Sequence, residues 1–153
     1  MSNKKIVLAS DHAGFKHKES IKKYLIEKGY KVEDVGAFEY VEGDDYPEYM
    51  AKAAVKIATE PDEFAKAIIF GGSGQGEAMT ANRFPGARAA VWYGGNADIL
   101  KLSREHNDAN ILSIGARFVS EDEAKNAVSL WLETPFGGEE KHARRIEEMD
   151  SIE

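Results

Sequence analysis

Short apolar runs and amphipathic stretches alternate along the whole chain, and this alternation constrains the fold more than any other feature. Lys5-Ile6-Val7-Leu8-Ala9 is a continuous apolar run of the kind found in strands covered on both faces. Residues 14 to 28 read as a helix: Ile21, Tyr24, Leu25 and Lys28 fall at i, i+3, i+4 and i+7, with the Lys28 stem closing the stripe. Gly29 is placed to stop it. Tyr30 to Val35 is a second strand, less apolar and so nearer a sheet edge. A loop rich in Gly and Asp runs from Gly36 to Asp45. Pro47 suits the first turn of a helix whose Met50, Ala53, Ala54 and Ile57 share a face. Ala65 to Phe70 is a third strand, the most convincingly buried. A glycine cluster and a short helix around Glu77 to Asn82 follow. Arg88 to Trp92 is a fourth strand, Ala97 to Arg104 a helix, and Asn110 to Gly115 a fifth strand. Ser120 and Glu123 have the spacing of a capping box. The helix they open carries Ala124, Ala127, Val128, Trp131 and Leu132 on one face. Thr134-Pro135-Phe136-Gly137-Gly138 breaks the chain, and a polar helix at about 139–150 ends it.

Five strand-then-helix units imply a parallel sheet with helices on both faces. The expected fold is a three-layer α/β, Rossmann-like one with a five-stranded parallel sheet. The 153 residues suit one domain, 1–153, with no internal repeat or linker. In such sheets ligands bind beyond the carboxyl ends of the strands. Function is therefore sought just after each strand.

Twenty Lys plus Arg stand against 27 Asp plus Glu, a net charge of −7. That balance argues against a nucleic-acid groove binder and a polybasic membrane tether. An anionic ligand has to be held by a local basic cluster. The chain has no Cys, which removes disulfides, Cys-based zinc sites and a thiol nucleophile or base. His17 lies five after His12, not a helical ligand spacing, and no Zn, Ca or Mg pattern is present, so no metal site is expected. No apolar stretch reaches the length of a membrane span. The run from Ile6 to Ala9, behind Met1-Ser2-Asn3-Lys4-Lys5, is too short for a signal-peptide core. A soluble, cytoplasmic protein is expected.

The strand ends hold the chemistry. Asp11 and His12 arrive together after the first strand. Asp11 suits a helix cap, and the pair also suits proton transfer and anion contact. Gly71-Gly72-Ser73-Gly74-Gln75-Gly76 follows the third strand, and so many glycines let several N–H groups point at one spot. Such a nest suits a phosphate, a carboxylate or an enolate oxygen. A Walker loop would need Lys where Glu77 stands, a dinucleotide loop would need Gly there, and an esterase elbow would need Gly at Gln75. Glu77 itself suits the helix N-terminus, yet beside an anion nest a carboxylate is unfavourable without a task. Ser103 to Asn110 is dense in polar residues. Arg117 follows the fifth strand. Lys141 and Arg145 are four apart on the last helix and share a face.

Taken in order, these residues resemble a known family, that of ribose-5-phosphate isomerase B and the galactose-6-phosphate isomerase subunits. The resemblance is carried by Leu8 to Phe15, Asp45-Tyr46-Pro47, Gly72 to Gly76, Ala81-Asn82-Arg83, Pro85 to Arg88, Leu102 to Asn110, Thr134-Pro135-Phe136 and His142 to Arg145. It covers nearly the whole chain. It implies interconversion of an aldose phosphate and a ketose phosphate, without metal or coenzyme. Asp11 and His106 would assist opening of the furanose ring. Ser73 and the amides of Gly72, Gly74 and Gly76 would hold the enediolate. His12, Arg117 and Arg145, with Lys141, would bind the phosphate, and Asn107 and Tyr46 would position the sugar. Members form homodimers, in some cases paired into tetramers, whose sites use residues from both chains. The last helix is accordingly expected to pack on a partner subunit.

Two positions depart from the family pattern. Many members carry a Cys base directly after the third strand, where this chain has Gly71; it resembles instead the branch with Glu as the base, here Glu77. The usual first Arg of the last helix is Lys141, which keeps the charge and loses the bidentate fork. The expected reaction is ribose 5-phosphate to ribulose 5-phosphate. The alternatives are a six-carbon sugar phosphate, an unphosphorylated sugar, a sugar-phosphate sensor without catalysis, and, more weakly, a nucleotide-binding module.

Overall fold

The computed structural model describes residues 3–152; Met1, Ser2 and Glu153, at the ends of the expected domain range, lie outside the described residues. In chain order the elements are β1 (Lys5–Ser10), α1 (Phe15–Glu27), β2 (Val32–Asp34), α2 (Tyr46–Thr59), β3 (Phe64–Gly71) and α3 (Gln75–Ala81). They continue with β4 (Ala89–Trp92), α4 (Asp98–Glu105), β5 (Ile111–Gly115), a 3-10 turn over Ala116–Phe118, α5 (Glu121–Glu133) and α6 (Glu140–Asp150). All five strands are parallel, in the order β2-β1-β3-β5-β4. The α/β, Rossmann-like reading of the sequence is thus realised. β2 takes an edge, as its weaker apolar content suggests, and β3 takes the centre.

Alternation along each strand feeds two cores. Leu8, Ile68, Phe70, Leu112 and Ile114 face the helices α1, α4 and α5, against Ile21, Leu25, Leu100, Val128 and Trp131. Val7, Ala9, Ala67, Ile69 and Ile111 face α2 and α3, against Met50, Ala53, Ala54, Ile57 and Ala81. Each large apolar side chain buried here is worth about 1.5–3 kcal/mol. The predicted punctuation holds: Gly29 takes a positive φ of 92° just past α1, and Ser120 and Glu123 close a reciprocal capping box on α5.

One core detail differs from expectation. Lys28, at the C-cap of α1, is exposed and reaches over the Tyr24 ring of the stripe at 5.4 Å. Lys18, one turn before Ile21, takes the buried place, and its side chain is fully covered. Its Nζ donates to Asp34 Oδ2 at 2.7 Å and to the Ala37 carbonyl at 2.7 Å. Burial alone would raise the Asp34 carboxyl; bonds from Lys18 and the Gly36 N–H, with the Lys18 charge, overcome it and hold the group below its usual range. This pair ties α1 to the end of β2 and to the loop that leads toward the crevice. Removing one member of a buried pair strands the other, at roughly 3–5 kcal/mol. Asp34→Ala is expected to lose about that much in denaturant unfolding. A loss under about 1 kcal/mol, typical of surface pairs, would show that Glu19, 3.9 Å from Lys18 Nζ, or water compensates.

Candidate active site

The chain steps outward from β1 to β2, then returns to place β3 on the other side of β1. This reversal opens a crevice at the carboxyl ends of β1 and β3. Asp11 leaves β1 and is 5% exposed; the Gly14 N–H donates to its Oδ1 at 3.2 Å. Across the crevice the turn from β3 into α3 runs through Gly72, Ser73 and Gly74. Gly74 takes φ 80°, a left-handed conformation suited to glycine, and its carbonyl accepts from Ser113 Oγ at 2.7 Å. The Ser73 hydroxyl accepts from the Gln75 N–H at 3.2 Å.

Glu77 stands on the first turn of α3 and is 4% exposed. Its carboxyl folds back over the end of β3. A Cβ built on Gly71 would overlap the Glu77 carboxyl group itself, so Gly71 is the space that this carboxyl occupies. Among the described residues, Glu77 Oε1 is buried without a hydrogen-bond partner. Burial pushes this carboxyl above the usual glutamate range, and the charge of Asp11 pushes it further. The N–H groups of Glu77 and Gly74 and the Arg117 guanidinium pull the other way without reversing the shift. Burial also raises Asp11, against bonds from the Gly14 and Ala13 N–H groups. Two buried, mutually repelling carboxyls of raised basicity therefore line one crevice, an arrangement typical of proton-transfer sites.

Three other expected residues reach the same edge. The Arg117 guanidinium packs over Gly72, about 3.0 Å from where a Cβ would stand, and its main-chain N–H bonds the Gly72 carbonyl. Tyr46, opening α2, sets its hydroxyl against Gly76. His12 Nδ1 lies 2.8 Å from Asp44 Oδ1. The sequence reading did not single out Asp44: its bond to His12 spans 32 positions, so no local spacing signals it. Ligand atoms of Asp11, His12 and Asp44 lie within 4.8 Å of one another, the group among the described residues able to hold a metal ion.

His106 and Asn107 are placed elsewhere. α4 follows β4 and leads into the parallel strand β5, so it crosses back and ends at the amino edge of β5. His106 is its C-cap residue. Five residues of β5, rising roughly 3.3 Å each, put about 16 Å between this edge and Arg117. Buried Arg104 braces the segment through Thr134 and Ala109 carbonyls and Asp108, and the Gly137 N–H bonds the Glu105 carbonyl. His142 of α6 stacks on His106, centroids 4.2 Å apart and planes 16° off parallel. Burial and the His106 charge lower the pKa of His142. Lys141 and Arg145 are exposed on α6, so the basic pair lies with His106 and not with Asp11. A groove of about 570 Å³ between residues 82–90 and Met149–Ile152 reaches Asn107 and no other expected site residue.

The sequence profile of the ribose/galactose isomerase family matches residues 6–149. This chain belongs to that family. Among family members, ribose-5-phosphate isomerase B of Mycolicibacterium paratuberculosis is 38% identical over 149 residues, covering 97% of this chain and 91% of its own. The crystal structure of a ribose 5-phosphate isomerase from Thermotoga maritima superposes with a TM-score of 0.89 at 40% identity, covering 99% of this chain and 100% of its own. The Mycoplasma genitalium ribose-5-phosphate isomerase B, solved with bound ribulose-5-phosphate, superposes at 0.91 with 32% identity, covering 98% of this chain and 96% of its own. The isomerase resemblance read from the sequence is therefore the family to which the chain belongs.

Proposed function

We propose that this ribose/galactose isomerase family member interconverts ribose 5-phosphate and ribulose 5-phosphate through an enediolate. The observation that carries the reading is the buried Glu77 carboxyl, one oxygen unpartnered, set beside the glycine turn and opposite Asp11. Glu77 takes the proton from C2 and returns it at C1. Ser73 and the N–H groups of Gly72, Gly74 and Gly76 stabilise the oxyanion that develops meanwhile. Asp11 and His106 open the furanose ring. His12, Arg117, Lys141 and Arg145 hold the phosphate, and Tyr46 and Asn107 orient the sugar. The ribulose-5-phosphate held by the Mycoplasma genitalium protein supports this substrate class.

The reaction uses no metal or coenzyme and takes place in the cytoplasm. The single domain, 1–153, acts as a homodimer or a pair of homodimers. Asp11 and His106 lie at opposite edges of one sheet, about 16 Å apart along the strands, so each site draws His106, Asn107, Lys141 and Arg145 from a second copy. Met79, 68% exposed on the helix that carries Glu77, supplies apolar surface for that contact.

The deciding assay supplies five- and six-carbon aldose phosphates in the presence of EDTA and follows ketose formation. Ribose 5-phosphate is expected to turn over fastest. Loss of activity in EDTA, restored by a divalent ion, would turn the Asp11, His12 and Asp44 group into a metal site and overturn the mechanism. Shared sites also predict complementation. Glu77→Gln and His106→Ala chains, each inactive alone, regain about a quarter of wild-type activity when unfolded and refolded together, because half of the random dimers contain one intact site. Mixtures that stay inactive would place both residues in a site built by one chain.

A further inference from the structure

We propose that Asp44 is a positioning residue that clamps His12 for phosphate binding; this rests on the sugar-phosphate isomerase reading. Asp44 Oδ1 accepts from the His12 main-chain N–H at 2.8 Å and lies 2.8 Å from His12 Nδ1. One oxygen thus holds both the backbone and the ring of the same residue. An ionised carboxylate accepts only, so Nδ1 carries its proton whenever Asp44 is charged. That fixes the tautomer and leaves Nε2 as the ring nitrogen with no protein partner among the described residues. When the ring is protonated, Nε2 donates to an anion while the Asp44 charge supports the imidazolium. Tyr40 packs edge-on against the ring at 6.1 Å, restricting its rotation from the open side.

Asp44 is itself held. Its side chain is 9% exposed. The Tyr49 phenol of α2 is raised by burial, then by the charges of Asp44 and Glu48 and by a side-chain hydrogen bond with Asp44. A carboxyl group with so little contact with water needs nearby donors. Tyr49 and His12 are the groups placed to supply them.

The test is Asp44→Asn, read by ¹⁵N chemical shifts of the histidine rings above their pKa, with His12 assigned through its loss in His12→Gln. The wild-type His12 ring is expected in the Nδ1–H form, and in Asp44→Asn the Nε2–H form appears. KM for ribose 5-phosphate and the inhibition constant of inorganic phosphate should both rise about tenfold, as for one charge-assisted hydrogen bond. kcat should stay within about threefold, because a positioning role in binding leaves the proton-transfer step in place. A wild-type ring in the Nε2–H form overturns the clamp whether or not the variant folds. Unchanged tautomer and phosphate inhibition in a folded Asp44→Asn protein overturns it as well. The tautomer readout needs no turnover, so the clamp and the isomerase reading fail separately.

Discussion

Glu77→Gln is expected to bind ribose 5-phosphate and to turn it over about 10²–10⁴-fold more slowly, the usual worth of a positioned general base. The substitution keeps the size and polarity of the side chain and removes only the basic oxygen. Exchange of the C2 hydrogen into solvent deuterium should fall by the same factor, and wild-type washout would exclude Glu77 as the base. A second readout separates the chemistry from a structural fault. Burial raises this carboxyl in the folded state, so ionising it opposes folding at every pH above the ordinary glutamate value of 4.5. Glu77→Gln should therefore melt higher than wild type near neutral pH. A gain of about 1 kcal/mol would read as roughly 2–4 °C in a chain of this size. The gain should fade as pH falls toward 4.5, where the unfolded carboxylate is protonated too. Below that value no advantage remains. In activity, the acid limb of kcat/KM should lie above the ordinary glutamate range and belong jointly to Glu77 and Asp11, whose charges interact.

Gly71→Ala is expected to be nearly as damaging, although the residue carries no chemistry. Its new Cβ would fall on the Glu77 carboxyl, so the carboxyl has to leave the crevice or the end of β3 has to move. Misplacing a catalytic group by about 1 Å is enough for a 10²-fold loss. The two positions should therefore fail as a unit. Gly71→Ala combined with Glu77→Gln should be scarcely slower than either alone, because each removes the same placed oxygen. Multiplicative losses in the double variant would mean that Gly71 acts through the oxyanion turn instead. A Gly71→Ala enzyme with wild-type kcat would show that the Glu77 carboxyl works from another position.

The strand-end rule made half of the candidate site readable from sequence. Asp11, Ser73, Glu77 and Arg117 all follow strands, and parallel strands bring their carboxyl ends to one edge whatever their order. The order itself was not readable, because periodicity reports which face of a strand is buried and not which strand lies beside it. β2 and β3 were placed by apolar content alone. His106, Lys141 and Arg145 do not follow strands; the i, i+4 spacing marked Lys141 and Arg145 as a basic pair, and only the family resemblance gave all three a role. Their position at the far edge follows from the direction of α4, which needs the topology. Asp44 and Lys18 escaped for a different reason. Each is a charged residue, a type that is ordinarily solvated, and each is buried by a partner 16 to 32 positions away. Composition gives no sign of such a pairing.

The shared space at Gly71 also bears on how this arrangement relates to the thiol base that the family resemblance implies for many members. A cysteine at position 71 and a glutamate folded back from position 77 cannot occupy the crevice together, and on the proposed mechanism a chain with neither lacks the base. Single substitutions from one arrangement therefore pass through a form that is crowded or inert. The two chemistries stand as separate peaks, joined only by paired changes or by a second gene copy free to lose function. Activity should rise again only when both positions have changed.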